Sequence, residues 1–146
     1  MMIKSVLLPL GPADAFKLFT SEISSWWPTD RRHTNDPESA IVIEPGGRFF
    51  ERARDGREVE LGRVLAWEER NRIELDFYIA TGPAQPTAVE IVFVEEVGGT
   101  RVTVTHAPKA ESESLWDERA PRYARSWEAV LAALVAAARN KRLKNA

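Results

Sequence analysis

PGGRFFERARDGREVELGRVLAWEERNR, Pro45 to Arg72, sets two strand-like runs between glycine-marked turns and ends in an arginine-bearing loop. Gly46-Gly47 and Asp55-Gly56 supply the backbone freedom that tight turns need, while Gly62, inside a run, marks a strand that bends or is approached closely by a neighbour. The stretch contains no residue set that names a reaction, and its content is architectural.

Working outward, the same pattern repeats. Ile41–Ile43, Gly47–Arg54, Glu58–Glu68, Ile73–Ile79, Val89–Glu95 and Arg101–Thr105 are predicted strands, separated by Gly46-Gly47, Asp55-Gly56, Glu69–Arg72, Gly82–Pro86 and Gly98-Gly99. Connections this short leave no room for crossover helices, so the strands form an antiparallel meander in sequence order. Upstream, Ile3–Leu8 is a first strand stopped by Pro9 and Gly11. Pro12 and Asp14 then open a short helix that runs to about Thr20. Thr29–Ser39, polar and without either period, reads as a surface loop.

The last third switches period: Tyr123, Trp127, Val130, Leu131, Leu134 and Ala138 recur at helical spacing and make one apolar stripe. Proline lacks the amide hydrogen that a helix interior uses, so the main helix is expected to start near Pro121, with Ser112–Arg119 a separate turn or a kinked lead-in. The count gives an α+β fold in which a long C-terminal helix covers one face of an antiparallel sheet, in a single domain spanning 1–146.

Composition excludes several function classes. The 44% hydrophobic and 29% charged residues fall in the globular range, and a formal charge of −2 gives no footprint for nucleic acid. The basic tail Arg139, Lys141, Arg142, Lys144 reads as a solvated helix end whose cations favour the negative pole of the helix. With no cysteine, disulfides and thiolate chemistry are out. The apolar run before Pro9 is too short for a membrane span or a secretion signal, so a cytoplasmic address is expected.

Catalytic signatures are equally scarce. There is no G-x-S-x-G elbow, no phosphate-cradling glycine loop and no H-E-x-x-H helix, and His33 and His106 are the only histidines, so neither metal nor cofactor is expected. Glu68-Glu69 and Glu95-Glu96 are adjacent on strands and point to opposite faces, which makes them solubility charges. His106 is in phase with Val102 and Val104. It reads first as a histidine at a strand end, hydrogen-bonded or partly solvated, and second as a ligand or proton-transfer contact. Arg48 and Arg52 are expected to point outward, since unpaired charges are seldom buried. Trp127, on the helix stripe, reads mainly as core. Trp26-Trp27, ahead of Pro28 and the polar loop, fits equally a lid at a cavity mouth or the plug that anchors the loop.

Six motifs, in order and over nearly the whole chain, resemble the SRPBCC or START-like superfamily, in particular the branch related to the C-terminal domain of the Hsp90 ATPase activator Aha1. They are Trp26-Trp27; Pro45-Gly46-Gly47; Asp55-Gly56; Gly62-Arg63-Val64-Leu65; Gly99-Thr100-Arg101-Val102-Thr103-Val104-Thr105-His106; and Tyr123, Trp127, Val130, Leu131 and Leu134 on the closing helix. The pattern departs from that branch at Glu69–Arg72, where the family has Pro-Pro, at Pro108, where a tryptophan is frequent, and at Ser126, where a glycine precedes the helix tryptophan. The resemblance implies a helix-grip fold, a curved antiparallel sheet wrapped around the C-terminal helix, with a hydrophobic cavity between them. Phase and resemblance together predict a wall of Phe49 or Phe50, Trp67, Phe77, Phe93, His106, Tyr123 and Trp127, with Trp26-Trp27 near the mouth. The first functional expectation is a module that binds a small apolar or amphipathic molecule, with no nucleic-acid or membrane partner. The alternative is a cochaperone-like domain acting on an Hsp90-type ATPase in a stress-response setting. A cyclase- or hydratase-like enzyme using His106 comes third.

Overall fold

In the computed structural model, which describes residues 1–145, the chain runs β1 (Met2–Leu8), α1 (Pro12–Phe19), β2 (Ala40–Ile43), β3 (Arg48–Arg52), β4 (Glu58–Glu68), β5 (Arg72–Phe77), β6 (Thr87–Glu96), β7 (Gly99–Pro108) and α2 (Glu113–Asn145). All seven strands join one antiparallel sheet in the order β1-β7-β6-β5-β4-β3-β2. Strands β2 to β7 are the expected meander, and β1 adds to its far edge, pairing Met2 with His106 and Leu8 with Thr100.

The curl of the sheet comes from β4. Pairing with β3 shifts register between Phe49 and Phe50, and pairing with β5 shifts between Val64 and Ala66. Leu61 and Leu65 are therefore extra residues on β4, each adding local twist. Between them, Gly62 lets β5 come close: a Cβ there would stand 2.3 Å from the carbonyl oxygen of Asp76. The second bulge also changes which side chains point inward. Leu65 is 48% exposed, whereas Trp67 packs edge-on against Phe16 of α1 with ring centroids 5.3 Å apart.

The concave face is apolar by strict alternation. Ile73, Leu75 and Phe77, then Val89, Ile91 and Phe93, then Val102, Val104 and His106 are all buried, and α2 covers them with Tyr123, Trp127, Val130, Leu131, Leu134 and Ala138. Each large apolar side chain so enclosed contributes about 1.5–3 kcal/mol. At the other end of the concavity α1 seals the core with Ala15, Phe16, Leu18 and Phe19. This is the helix-grip architecture.

Two expectations are corrected. Helix α2 does not begin at Pro121 but passes through it, starting at Glu113. The turns before the proline are held in place by tertiary contacts: Trp116 packs 5.3 Å from His106, Arg119 Nε donates to the Ala80 carbonyl at 3.0 Å, and Ser112 Oγ donates to the Pro86 carbonyl at 2.8 Å. These hold the helix continuous despite one missing backbone hydrogen bond. The segment 29–39 is also more than a surface loop. It begins with a 3-10 turn at Thr29–Arg31 and buries Thr34, Asp36 and Ser39. Among the described residues no helix is long and apolar enough to cross a membrane.

Candidate functional site

Where α2 leaves the end of β5, the helix and sheet do not meet completely. A pocket of about 260 Å³ opens there. Helix α2 contributes Arg122, Tyr123, Ser126, Trp127 and Val130, the β5 side contributes Phe77, Ile79 and Ala80, and the loop after α1 contributes Trp27 and Asp30 to His33. Helical spacing explains the first group: positions 123, 127 and 130 are one stripe, and 122 and 126 are its rim. The interior is therefore aromatic and aliphatic, and the mouth is cationic.

Behind the pocket wall lies a sealed polar chain. The Trp127 indole N–H donates to His106 Nδ1 at 3.0 Å, and His106 Nε2 lies 2.7 Å from Thr87 Oγ1. An indole nitrogen only donates, so Nδ1 accepts and the ring proton sits on Nε2. That proton goes to Thr87, whose hydroxyl donates to the Phe77 carbonyl at 3.4 Å. Burial pushes His106 down to about 3, so the ring is neutral. It is fully enclosed among Phe77, Trp116, Tyr123 and Trp127, with the Tyr123 ring 4.2 Å away. Tyr123 in turn donates its hydroxyl to the Ile79 carbonyl at 2.7 Å, and burial raises its pKa.

The cationic rim is fastened by a residue that sequence reasoning missed. Glu51 on β3 points inward and has no solvent exposure. Its carboxylate accepts from His33 N–H at 2.6 Å, Thr34 N–H at 3.0 Å, Thr34 Oγ1 at 2.5 Å and Ser39 Oγ at 2.9 Å. Burial alone would raise its pKa, but these hydrogen bonds outweigh it and the group is held low. Arg32 joins the same anchor, donating to the carbonyls of Ser24 and Trp27 at 3.0 Å each and to that of Ser39. Its desolvation pulls its pKa down, against the fields of Glu51 and Asp36. His33 is lowered chiefly by burial and further by Arg122, with Glu51 opposing. The available signal was strand phase: Glu51 shares a face with Phe49, which an ordinary surface glutamate would not.

Of the residues expected on the cavity wall, Trp27, Phe77, Tyr123 and Trp127 come together around this pocket. Phe49 lies one layer back, its ring 6.0 Å from Trp27 and 6.4 Å from Phe77. Phe50 is on the opposite, convex face, where the Arg48 guanidinium stacks 3.9 Å from its ring centre and that of Arg52 lies 5.1 Å away, because odd and even positions on β3 face opposite sides. Arg48 and Arg52 point outward to Glu58 and Glu60. Phe93 and Trp67 pack beneath α1 against Phe16, at the closed end. Trp26 is core as well, its ring tilted against that of Phe19 at 5.7 Å and its indole N–H donating to the Leu18 carbonyl at 2.7 Å. His106 backs the wall without lining it. Among the described residues no three or more of His, Asp and Glu gather where a metal ion would be held.

The family model described as "Activator of Hsp90 ATPase homolog 1-like protein" matches residues 10–139. No match was found among the curated proteins. Solved structures share the fold. The solution structure of a self-sacrificing resistance protein, CalC, from Micromonospora echinospora is 22% identical, covers 96% of this chain and 94% of its own, and superposes with a TM-score of 0.72. A protein of Nitrosomonas europaea is 13% identical over 97% of this chain and 96% of its own, with a TM-score of 0.69. Mll3558 from Rhizobium loti is 21% identical over 92% of this chain and 94% of its own, with a TM-score of 0.65.

Proposed function

The chain belongs to the family of Activator of Hsp90 ATPase homolog 1-like proteins, and from that premise we propose that it binds a small apolar or amphipathic molecule in the pocket between α2 and the sheet. The observation that carries the reading is the pocket itself: about 260 Å³ walled on one side by Trp27, Phe77, Tyr123, Trp127 and Val130, where α2 and the sheet part beyond the packed core. The opposite side is polar, with Asp30, Arg31, Arg32, His33, Arg122 and Ser126, and an apolar wall facing placed polar groups suits a molecule with both characters. Burial of ligand surface there is worth roughly 25 cal/mol per Å². Orientation belongs to the rim and not to His106, whose two nitrogens are already engaged. The size falls just under the ~300–1,000 Å³ of drug-sized sites, which favours a molecule of one or two rings over a long acyl chain.

The test is a tryptophan fluorescence titration with aromatic acids, phenols and short fatty acids. Binding should shift the emission, and Trp127→Phe should remove most of the shift. If no ligand class changes emission or releases heat, the reading fails. Stimulation of an Hsp90-type ATPase by this chain would then favour the cochaperone alternative that the family description raises.

A further inference from the structure

We infer that the mouth of the pocket is a carboxylate seat in which Arg31 and Arg122 hold the head of a small aromatic or alicyclic monocarboxylic acid, its ring lying against Trp127 and Tyr123. The inference rests on the proposed binding function and names its ligand class. Four basic side chains, Arg31, Arg32, His33 and Arg122, face the pocket against one acidic side chain, Asp30. Arg32 is committed to the carbonyls of Ser24, Trp27 and Ser39. The pKa of His33 is lowered by burial, which outweighs the opposing field of Glu51 and is joined by that of Arg122.

Arg31 and Arg122 are different. Neither is among the ion-paired residues of the described chain; Arg63, Arg70, Arg125, Arg139 and Arg142 are likewise without an ion pair there, but none of them lines this pocket. The Nε atoms of Arg31 and Arg32 are both buried without an acceptor, but the terminal nitrogens of Arg32 are bonded to the Ser24, Trp27 and Ser39 carbonyls, whereas the Arg31 side chain makes no hydrogen bond among the described residues. Folded proteins satisfy nearly all buried donors, so a donor left open at the edge of a pocket points to a partner that arrives from outside. Two forked guanidinium groups over an apolar wall match the planar, bidentate geometry of a carboxylate, and the low-dielectric wall strengthens the pairing. One group comes from the loop that Glu51 pins and the other from α2, so the seat spans the two elements that frame the mouth.

Calorimetric titration of the full chain with 1-naphthoic acid and with 1-naphthamide, its neutral counterpart, tests this. The acid should bind about tenfold more tightly than the amide, as a charge-assisted contact implies. Arg31→Gln and Arg122→Gln should each remove most of that preference, by weakening the acid several-fold more than the amide. Arg122 lies on the exposed side of α2, so its variant keeps the fold. Equal affinity of the two ligands, or a preference that survives both substitutions, overturns the carboxylate seat while leaving the binding function standing. Failure of the wild-type chain to bind either ligand overturns the seat, and the binding function falls with it only if the fluorescence titration is silent for every ligand class as well.

Discussion

The His106 imidazole ties β7 to β6 through Thr87 and to α2 through Trp127, and the cost of that tie is a proton it does not accept. Protonating Nδ1 would set two N–H groups against each other in a space closed to water. With a folded pKa of about 3 against an ordinary 6.5, the unfolded chain takes up the proton at higher pH than the folded chain. Stability is therefore complete above pH 6.5 and is lost as the pH falls from 6.5 toward 3, by about 2 kcal/mol at pH 5. Urea unfolding of a His33→Gln chain at pH 8 and pH 5 should show that drop, and adding His106→Gln should abolish most of it. A ring that titrates near 6 by NMR would refute the sealed tautomer. The inward direction of His106 was legible from its phase with Val102 and Val104. Its saturation was not, because Thr87, Phe77 and Trp127 are brought to it by three other elements.

Secondary structure was legible wherever one periodicity ran uninterrupted. The strands from Ile41 to Thr105 and the stripe from Tyr123 to Ala138 fall where alternation and helical spacing put them. Misreadings collect where a local rule meets a tertiary contact. The bulge at Leu65 turns Trp67 inward by a phase that simple alternation assigns to Leu65 itself. At Pro121, anchoring of Trp116 and Arg119 overrides a helix breaker. Pro121 is exposed, so Pro121→Ala should restore a helix hydrogen bond and raise unfolding free energy by about 1–3 kcal/mol, measured by urea titration; a destabilised variant would mean that the proline ring is itself packed. The loop 33–39 looked solvated because its partner Glu51 lies on a distant strand. Glu51→Gln exposes four donors to an amide and should cost about 2–4 kcal/mol. Its lowered pKa places the latch's contribution in full above the ordinary glutamate value of 4.5, with loss as the pH falls through the depressed folded value. The wild-type chain should accordingly lose more stability than Glu51→Gln between pH 5 and pH 3.

At the scale of the whole molecule, one helix laid across a curled sheet has two unequal ends. Beneath α1 the aromatic rings of Phe16, Phe19, Trp67 and Phe93 meet edge to face at 5.1–5.9 Å and leave the space filled. Beyond Phe77 no helix takes the place of α1, and the loop fixed by Glu51 bridges the gap, so a pocket remains. Stability and binding should then be separable along the length of α2. Phe93→Ala opens a void at the filled end and should lower unfolding free energy by about 3–5 kcal/mol. Its affinity for any pocket ligand, measured where the variant is still folded, should stay within about twofold of wild type, because sites this far apart without shared partners act independently. Trp127→Ala removes the wall at the open end and should weaken binding by tenfold or more, on the order of 1.4 kcal/mol. If Phe93→Ala instead weakened binding as strongly as Trp127→Ala, the cavity would have to extend beneath α1, and the division of the core into a filled and an open end would be wrong.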